Sequence, residues 1–362
     1  MKAVVFHGNG DIRFESVPDP AIIHPSDALL RVTTSSICST DIHIKHHGYE
    51  MKVTPGTILG HEFVGVVEEI GKAHSPFSRG DRVAVSCTYS CGECYYCKKQ
   101  LYSQCLTGSC FGAMGDGFNH GAHAEFIRVP YASRIMHAIP DELSDEDVLF
   151  VGDILSTGLF GVELGNVKKG DAVVICGAGP VGMCAMIAAR LYGAAKIIAL
   201  EKNTHRATLI LEQGLVDDVI HPSEDRPSRS IKDLTHGRGA DVVIDASGDP
   251  RSFGNLFDFV RPGGTVALIG VYNDAVNFPI YKYWWKNLTI RMGLVETNKM
   301  GQLMEWIWQG KINTRFLITR TLPFNEIMKG YDMMDTRSET TLKVAIKAKM
   351  FSENSAHQCQ NS

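Results

Sequence analysis

The 362-residue sequence contains no apolar run approaching the ~18 residues that cross a bilayer, so no membrane span is expected. It also lacks a large charge of either sign. Thirty-six basic side chains stand against 40 acidic ones, a formal balance of −4. That leaves no broad cationic field to hold a nucleic acid or an anionic membrane, and a small neutral ligand suits the surface better. The opening stretch, MKAVVFHGNGDIRFESVPDP, alternates like a strand and has no apolar core of the signal-peptide kind, which points to a cytoplasmic protein. No internal repeat is visible. Tryptophan is scarce, and all four, Trp284, Trp285, Trp306 and Trp308, suit a core or an interface better than a substrate platform.

What the chain does have is cysteine in one place. SCGECYYCKKQLYSQC, residues 90–105, spaces Cys91, Cys94, Cys97 and Cys105 as C-x2-C-x2-C-x7-C. A reducing compartment disfavours structural disulfides, which leaves metal binding as the better use of clustered thiols. Two residues between thiols let a tight turn aim both sulfurs at one point, and a fourth closes a tetrahedron around Zn²⁺. With all four positions filled by protein, such a zinc is structural. A C-x-x-C redox pair would need only two of the thiols. A nucleic-acid ribbon would want more basic and aromatic neighbours than Lys98 and Lys99 begin to supply.

With 44% apolar and 21% charged residues the composition is that of a soluble globular protein, and the length favours two domains. To about residue 150, short β-like runs such as ALLRVTTSSIC, FVGVVEEIG and DRVAVSC alternate with Gly and Pro. From about residue 170, apolar strands alternate with helical stretches, which predicts an α/β unit with a parallel sheet covered on both faces. In VVICGAGPVGMCAM, Gly177, Gly179 and Gly182 form G-x-G-x-x-G after a strand and at the opening of a helix, with Pro180 and Val181 in its first turn. Context makes this a dinucleotide fingerprint: a sharp turn, close approach of backbone to a pyrophosphate, and tight helix–strand packing. Glu201 ends the next strand, where an acid accepts from the ribose hydroxyls and repels a 2′-phosphate, favouring NAD over NADP. Lys202 and Arg206 nearby would tolerate the extra phosphate.

Hydride transfer also needs a group that polarises the substrate oxygen. Three separated segments offer one: Cys38 in SSICSTDIHI, His61 and Glu62 in LGHEFVG, and Asp153 in GDILSTG. A thiolate, an imidazole and a carboxylate leave a fourth tetrahedral position open, the mark of a catalytic zinc. Taken singly, each of these residues is more often packing than ligand, and linear sequence does not show convergence.

Together, Cys38-x-x-Asp41-x-His43, Gly60-His61-Glu62, the four-cysteine lobe and the glycine fingerprint resemble the zinc-dependent medium-chain dehydrogenase/reductase family, the alcohol dehydrogenases. The resemblance runs from residue 1 to about 348. It implies a mostly β, GroES-like catalytic domain split into residues 1–154, including the lobe at 90–106, and 296–350, around a Rossmann domain at 155–295, with a disordered tail at 351–362. By the same resemblance Cys38, His61 and Asp153 ligate a catalytic zinc, and Glu62 lies behind the metal or swings in as a transient ligand. Thr40 and His43 match a proton relay, Asp41 orients the loop, and Cys87, Phe111, Leu294 and Val295 line the substrate pocket. His46, His47, His120 and His123 fit no ligand spacing.

The implied activity is an NAD-linked oxidation of a small neutral, secondary alcohol or reduction of its ketone, in a homodimer or homotetramer carrying two zinc ions per chain. Polyol or diol dehydrogenases and glutathione-independent formaldehyde dehydrogenases share the plan. A non-catalytic zinc- and nucleotide-binding relative and a zinc hydrolase are the rival classes.

Overall fold

In the computed structural model, which describes residues 1–113, 120–223, 226–336 and 339–348, the chain forms two compact units. The tail expected at 351–362, with Cys359, lies outside the described residues.

The first unit comprises Met1–Val85, Ser109–Leu149 and the chain from Ile318. Its main sheet runs in the order Ile318–Pro323, Lys343–Lys347, Ala28–Ile37, Glu62–Ile70, Arg82–Val85, Met136–Ala138, and Phe126–Val129 also pairs with Ala28–Ile37. Only the first pair is parallel. Strand Ala28–Ile37 alternates buried and half-buried residues up to Thr33 and is then buried at every position to Ile37. There it lies between two partners, with Val344 opposite Ile37 on one side and Glu62 opposite Ser36 on the other. A core of Phe6, Ile37, Ile44, Leu59 and Val344 takes Ile327 and Tyr331 from helix Ile327–Asp335. Those two lie one helical turn apart, on one face.

The second unit comprises Ser86–Gly108 and Phe150–Leu317. Six parallel strands run in the order Asp218–Ile220, Lys196–Leu200, Ala172–Cys176, Ala240–Asp245, Val260–Leu268, Thr289–Met292. Numbered along the chain this is 3-2-1-4-5-6, the doubly wound Rossmann order. Val174, Ile198, Val243 and Val266 from four neighbouring strands pack against Ile231, Leu256 and Phe257 from the covering helices. The edge strand Thr289–Met292 is exposed at all four positions. Trp284, Trp285 and Trp308 are exposed at 74%, 56% and 52%, so none of the three is core.

Two segments sit with the second unit where the family plan had put them with the catalytic domain: the lobe at 86–108 and the stretch 296–317. They are bonded to each other. Glu296 accepts from the lobe backbone at Tyr102, and Thr297 meets Ser86 through their hydroxyls at 2.6 Å.

Phe257 is fully buried, with ring centroids of Phe253, Phe278 and Tyr283 at 5.2, 4.5 and 5.4 Å. Phe257→Ala should destabilise the protein by about 3–5 kcal/mol. The check is a urea unfolding curve, where the midpoint falls by the corresponding amount; an unmoved midpoint contradicts this packing.

Candidate functional site

Cys38 follows the buried end of strand Ala28–Ile37 and caps helix Ser39–His47. Asp41, in the first turn of that helix, has no exposure. Its Oδ2 accepts the Cys38 N–H at 2.8 Å and its Oδ1 lies 3.4 Å from His61 Nδ1. One carboxylate therefore bonds the cysteine loop and faces the imidazole. Burial alone would raise the Asp41 carboxyl, but His61, His123 and the Cys38 amide outweigh it and hold the group below its ordinary value. With Nδ1 turned to Asp41, the other ring nitrogen of His61 is the one available to a metal.

Asp153 precedes helix Ile154–Leu164, and its carbonyl accepts the Thr157 N–H and hydroxyl at 2.7 and 2.9 Å. One ligand atom each from Cys38, His61 and Asp153 lies within 4.8 Å of the others. Sulfur, nitrogen and oxygen donors at this spacing fit a zinc ion with one position left for another ligand.

Glu62 stands outside that donor group. Both of its carboxylate oxygens accept from Lys343 Nζ at 2.6 Å, and both side chains are buried. Glu62 was expected behind the metal or as a transient ligand; here it is paired with Lys343, and the cause of that pairing is register. Glu62 opens the strand on one side of Ala28–Ile37 and Lys343 opens the strand on the other.

The four lobe cysteines form the second donor group, again with all ligand atoms within 4.8 Å, and they are not joined by disulfides. Their sulfurs stand 3.5 Å (Cys91–Cys105), 3.9 Å (Cys94–Cys105) and 4.0 Å (Cys91–Cys97) apart. A tetrahedron with Zn–S bonds of ~2.3 Å has edges of ~3.8 Å, so the thiols are already arranged for the ion. Backbone N–H groups of Cys91, Glu93 and Cys94 point at sulfur. Amides of Leu106 and Cys97 draw the Cys94 thiol down to about 6, whereas burial pushes Cys97 up to about 12.

In the second unit Gly177 has φ +93° and Gly182 opens no space at all: a Cβ there would lie 1.9 Å from the Gly177 carbonyl oxygen. Gly179 caps helix Pro180–Leu191, and a Cβ on it would meet nothing within 4 Å. The fingerprint thus has a glycine for the turn, one for packing, and one facing the open side where the helix N-terminus presents its N–H groups to a phosphate. Pro180 and Val181 form the first turn, both half-buried. Glu201 is buried beyond the neighbouring strand. Its carboxylate accepts from Ala178 N–H at 2.6 Å and from Asn203 N–H at 2.7 Å. Arg206 bonds Asn203 through its backbone, and its Nε is buried without a hydrogen-bond partner.

Thr40 and His43 are half-buried, one helical turn apart, with Thr40 Oγ1 3.8 Å from Cys38 Sγ. The Cys87 N–H bonds the Gly152 carbonyl, next to Asp153. Phe111 is only 1% exposed, with its ring edge-on to Phe63 among core side chains. Val295 is buried and Leu294 partly exposed. His123, read as an ordinary polar residue, is fully buried and bonds the Tyr331 hydroxyl at 2.8 Å, while His46 pairs with Asp335. Sequence reading missed Lys343. Its signal was a lysine inside the apolar run LKVAI, where a central strand has no room for a solvated charge.

A Rossmann unit, a GroES-like sheet and two zinc-type donor sets define a zinc-type dehydrogenase. The alcohol dehydrogenase GroES-like domain model matches residues 24–141, and the zinc-binding dehydrogenase model matches residues 180–309. The chain is 33% identical to an uncharacterised zinc-type alcohol dehydrogenase-like protein of Bacillus subtilis, over 96% of this chain and all of that one. Among solved structures it is similar to alcohol dehydrogenase TADH from Thermus sp. ATN1, with a TM-score of 0.90 and 34% identity over 96% of this chain and 100% of that chain. It is likewise similar to zinc-dependent alcohol dehydrogenase 2 from Streptococcus pneumonia, with a TM-score of 0.91 and 37% identity over 97% and 99%. The chain belongs to the zinc-dependent medium-chain alcohol dehydrogenase family. That family implies zinc, a nicotinamide cofactor and a small-molecule substrate. No described helix is long and apolar enough to cross a membrane.

Removing one partner of a buried ion pair costs about 3–5 kcal/mol, while replacing both by apolar or neutral groups costs far less. Lys343→Met should therefore lower stability by about that amount, and the Glu62→Gln, Lys343→Met double variant should recover at least half of it. Denaturant titration of the three proteins gives the comparison; additive losses would show that the two charges do not interact.

Proposed function

We propose that the protein is an NAD-linked, zinc-dependent dehydrogenase acting on small neutral substrates, secondary alcohols and their ketones. The observation that carries this reading is the meeting of one sulfur, one nitrogen and one oxygen donor from Cys38, His61 and Asp153 within 4.8 Å. These three would hold the zinc, which when bound supplies Lewis-acid polarisation of an alcohol or carbonyl oxygen. Asp41 keeps the His61 ring oriented for that task. Thr40 would accept the alcohol proton at Oγ1 and donate its own onward, and His43 would carry it toward solvent. The Gly177–Gly182 turn and the N-terminus of helix Pro180–Leu191 would receive the pyrophosphate. Glu201 supports NAD over NADP, since a buried carboxylate at the strand end repels a further phosphate.

A thiol-rich metal lobe suits a reducing cytoplasm. The exposed edge strand Thr289–Met292, flanked by exposed Ile280, Tyr281, Trp284 and Trp285, supports a homo-oligomer, because such an edge seeks a partner.

The test is an NAD(P)-linked screen of secondary alcohols, diols and polyols on protein whose metal content is measured in the same sample. Asp153→Ala should lose about one zinc per chain and turnover by at least ~1,000-fold while NADH still binds. Normal rates and metal content in that variant would remove Asp153 from the ligand set. Glu201→Ala should narrow the ratio of kcat/KM for NAD over NADP by about tenfold or more. An unchanged ratio would free Glu201 of that role and leave it only the amides it holds.

A further inference from the structure

Residues 91–105 have little regular structure of their own: a single turn at Tyr95–Lys98 and a 3-10 turn at Tyr102–Gln104. Their shape is set by the four thiols, which converge from both ends of the loop. One side of this loop is bonded to a distant segment of the same unit, residues 294–297. The Glu296 carboxylate accepts the Tyr102 N–H at 2.9 Å, the Ser103 N–H at 3.2 and 3.3 Å, and the Ser103 hydroxyl at 2.7 Å. The same hydroxyl lies 3.3 Å from the Leu294 carbonyl oxygen. One residue beyond Glu296, the chain is held again where Thr297 meets Ser86 at 2.6 Å.

Glu296 is half-buried with amide and hydroxyl donors facing it, and burial raises its carboxyl above the ordinary value despite those bonds. A carboxylate surrounded this way is held by geometry: the N–H groups at the start of the 3-10 turn form a small anion cradle, and they converge only while the loop keeps its shape. The loop keeps its shape only while its thiols are drawn to one point. The segment that Glu296 anchors carries Leu294 and Val295, the two side chains it would lend to the wall of the substrate pocket.

We propose that Glu296 is a positioning residue that transmits the shape imposed on residues 91–105 by a four-thiolate metal to residues 294–297, fixing Leu294 and Val295 and with them the fit of the alcohol. The inference rests on the reading of the lobe as a metal site and of Leu294 and Val295 as pocket wall. It gives the lobe a part in substrate fit as well as in holding a loop.

The experiment is amide hydrogen exchange on the full-length, metal-loaded protein, comparing wild type with Glu296→Ala, Glu296→Gln and Cys94→Ser, each with metal content measured. In Glu296→Ala, exchange over residues 102–103 and 294–297 should quicken by about tenfold or more with metal content unchanged. Glu296→Gln, which keeps one acceptor oxygen, should restore part of the protection. Cys94→Ser should lose one metal per chain and quicken exchange at 294–297, although the substitution is nowhere near that segment in sequence. In Glu296→Ala the KM for alcohols should rise several-fold with NADH affinity unchanged.

A wild type with no metal at the four thiols, or unchanged exchange at 294–297 in either Glu296→Ala or Cys94→Ser, overturns the proposal. So does a Glu296→Ala enzyme with altered exchange but the KM of wild type. Should Cys94→Ser fail to fold, the Glu296 variants decide the matter alone. Because exchange needs no turnover, a protein inactive on every alcohol would reject the dehydrogenase reading while the lobe-to-segment coupling was still measured.

Discussion

The Glu62–Lys343 ion pair is closed off from water, and each charge can remain there only while the other does. That condition ties together three strands whose residues come from opposite ends of the chain. Strand Ala28–Ile37 runs between Glu62–Ile70 and Lys343–Lys347, and Cys38 emerges at the end where the pair sits. The same pair settles the local charge. A divalent ion with the Cys38 thiolate and the Asp153 carboxylate is formally neutral, and a free Glu62 would have added a negative charge behind it. Lys343 balances the Glu62 charge, so an ion held by Cys38, His61 and Asp153 would not have an unpaired carboxylate opposing its pull on a substrate oxygen.

The parts of the site that were legible in the sequence are those built from short loops. Four cysteines within sixteen residues and a glycine turn after a strand carry their geometry in their spacing, and both are found as expected in donor arrangement and backbone shape. Cys38, His61 and Asp153 were legible as donor types, but their convergence only through family resemblance, since no local pattern links three residues that far apart. Lys343 left only a weak mark, a lysine within a run of apolar residues, and its partner lies 281 positions away. The partner of Glu62 was hidden for the same reason, because only strand order reveals it. The grouping of the lobe with residues 296–317 was hidden too: it rests on a carboxylate meeting backbone N–H groups, and backbone donors leave no mark in a sequence.

Glu201 shows how two functions become inseparable in one side chain. Its oxygens hold the Ala178 and Asn203 amides, one in the glycine turn and one at the cap of the following helix, which makes it part of the scaffold of the nucleotide site. Its charge is what would discriminate between the two nicotinamides. Any substitution that removes this carboxylate also frees the two amides it holds, one of them in the glycine turn. Gly182, by contrast, is constrained by packing alone, with the Gly177 carbonyl oxygen where a side chain would begin.

All four tryptophans fall between residues 284 and 308, in the second unit, and three of them are open to solvent. Intrinsic indole fluorescence is therefore blind to the first unit. A melting curve followed by emission would trace the second unit alone, and a second probe with signal from the first, such as far-ultraviolet dichroism, would be needed to learn whether the two units unfold in one cooperative step.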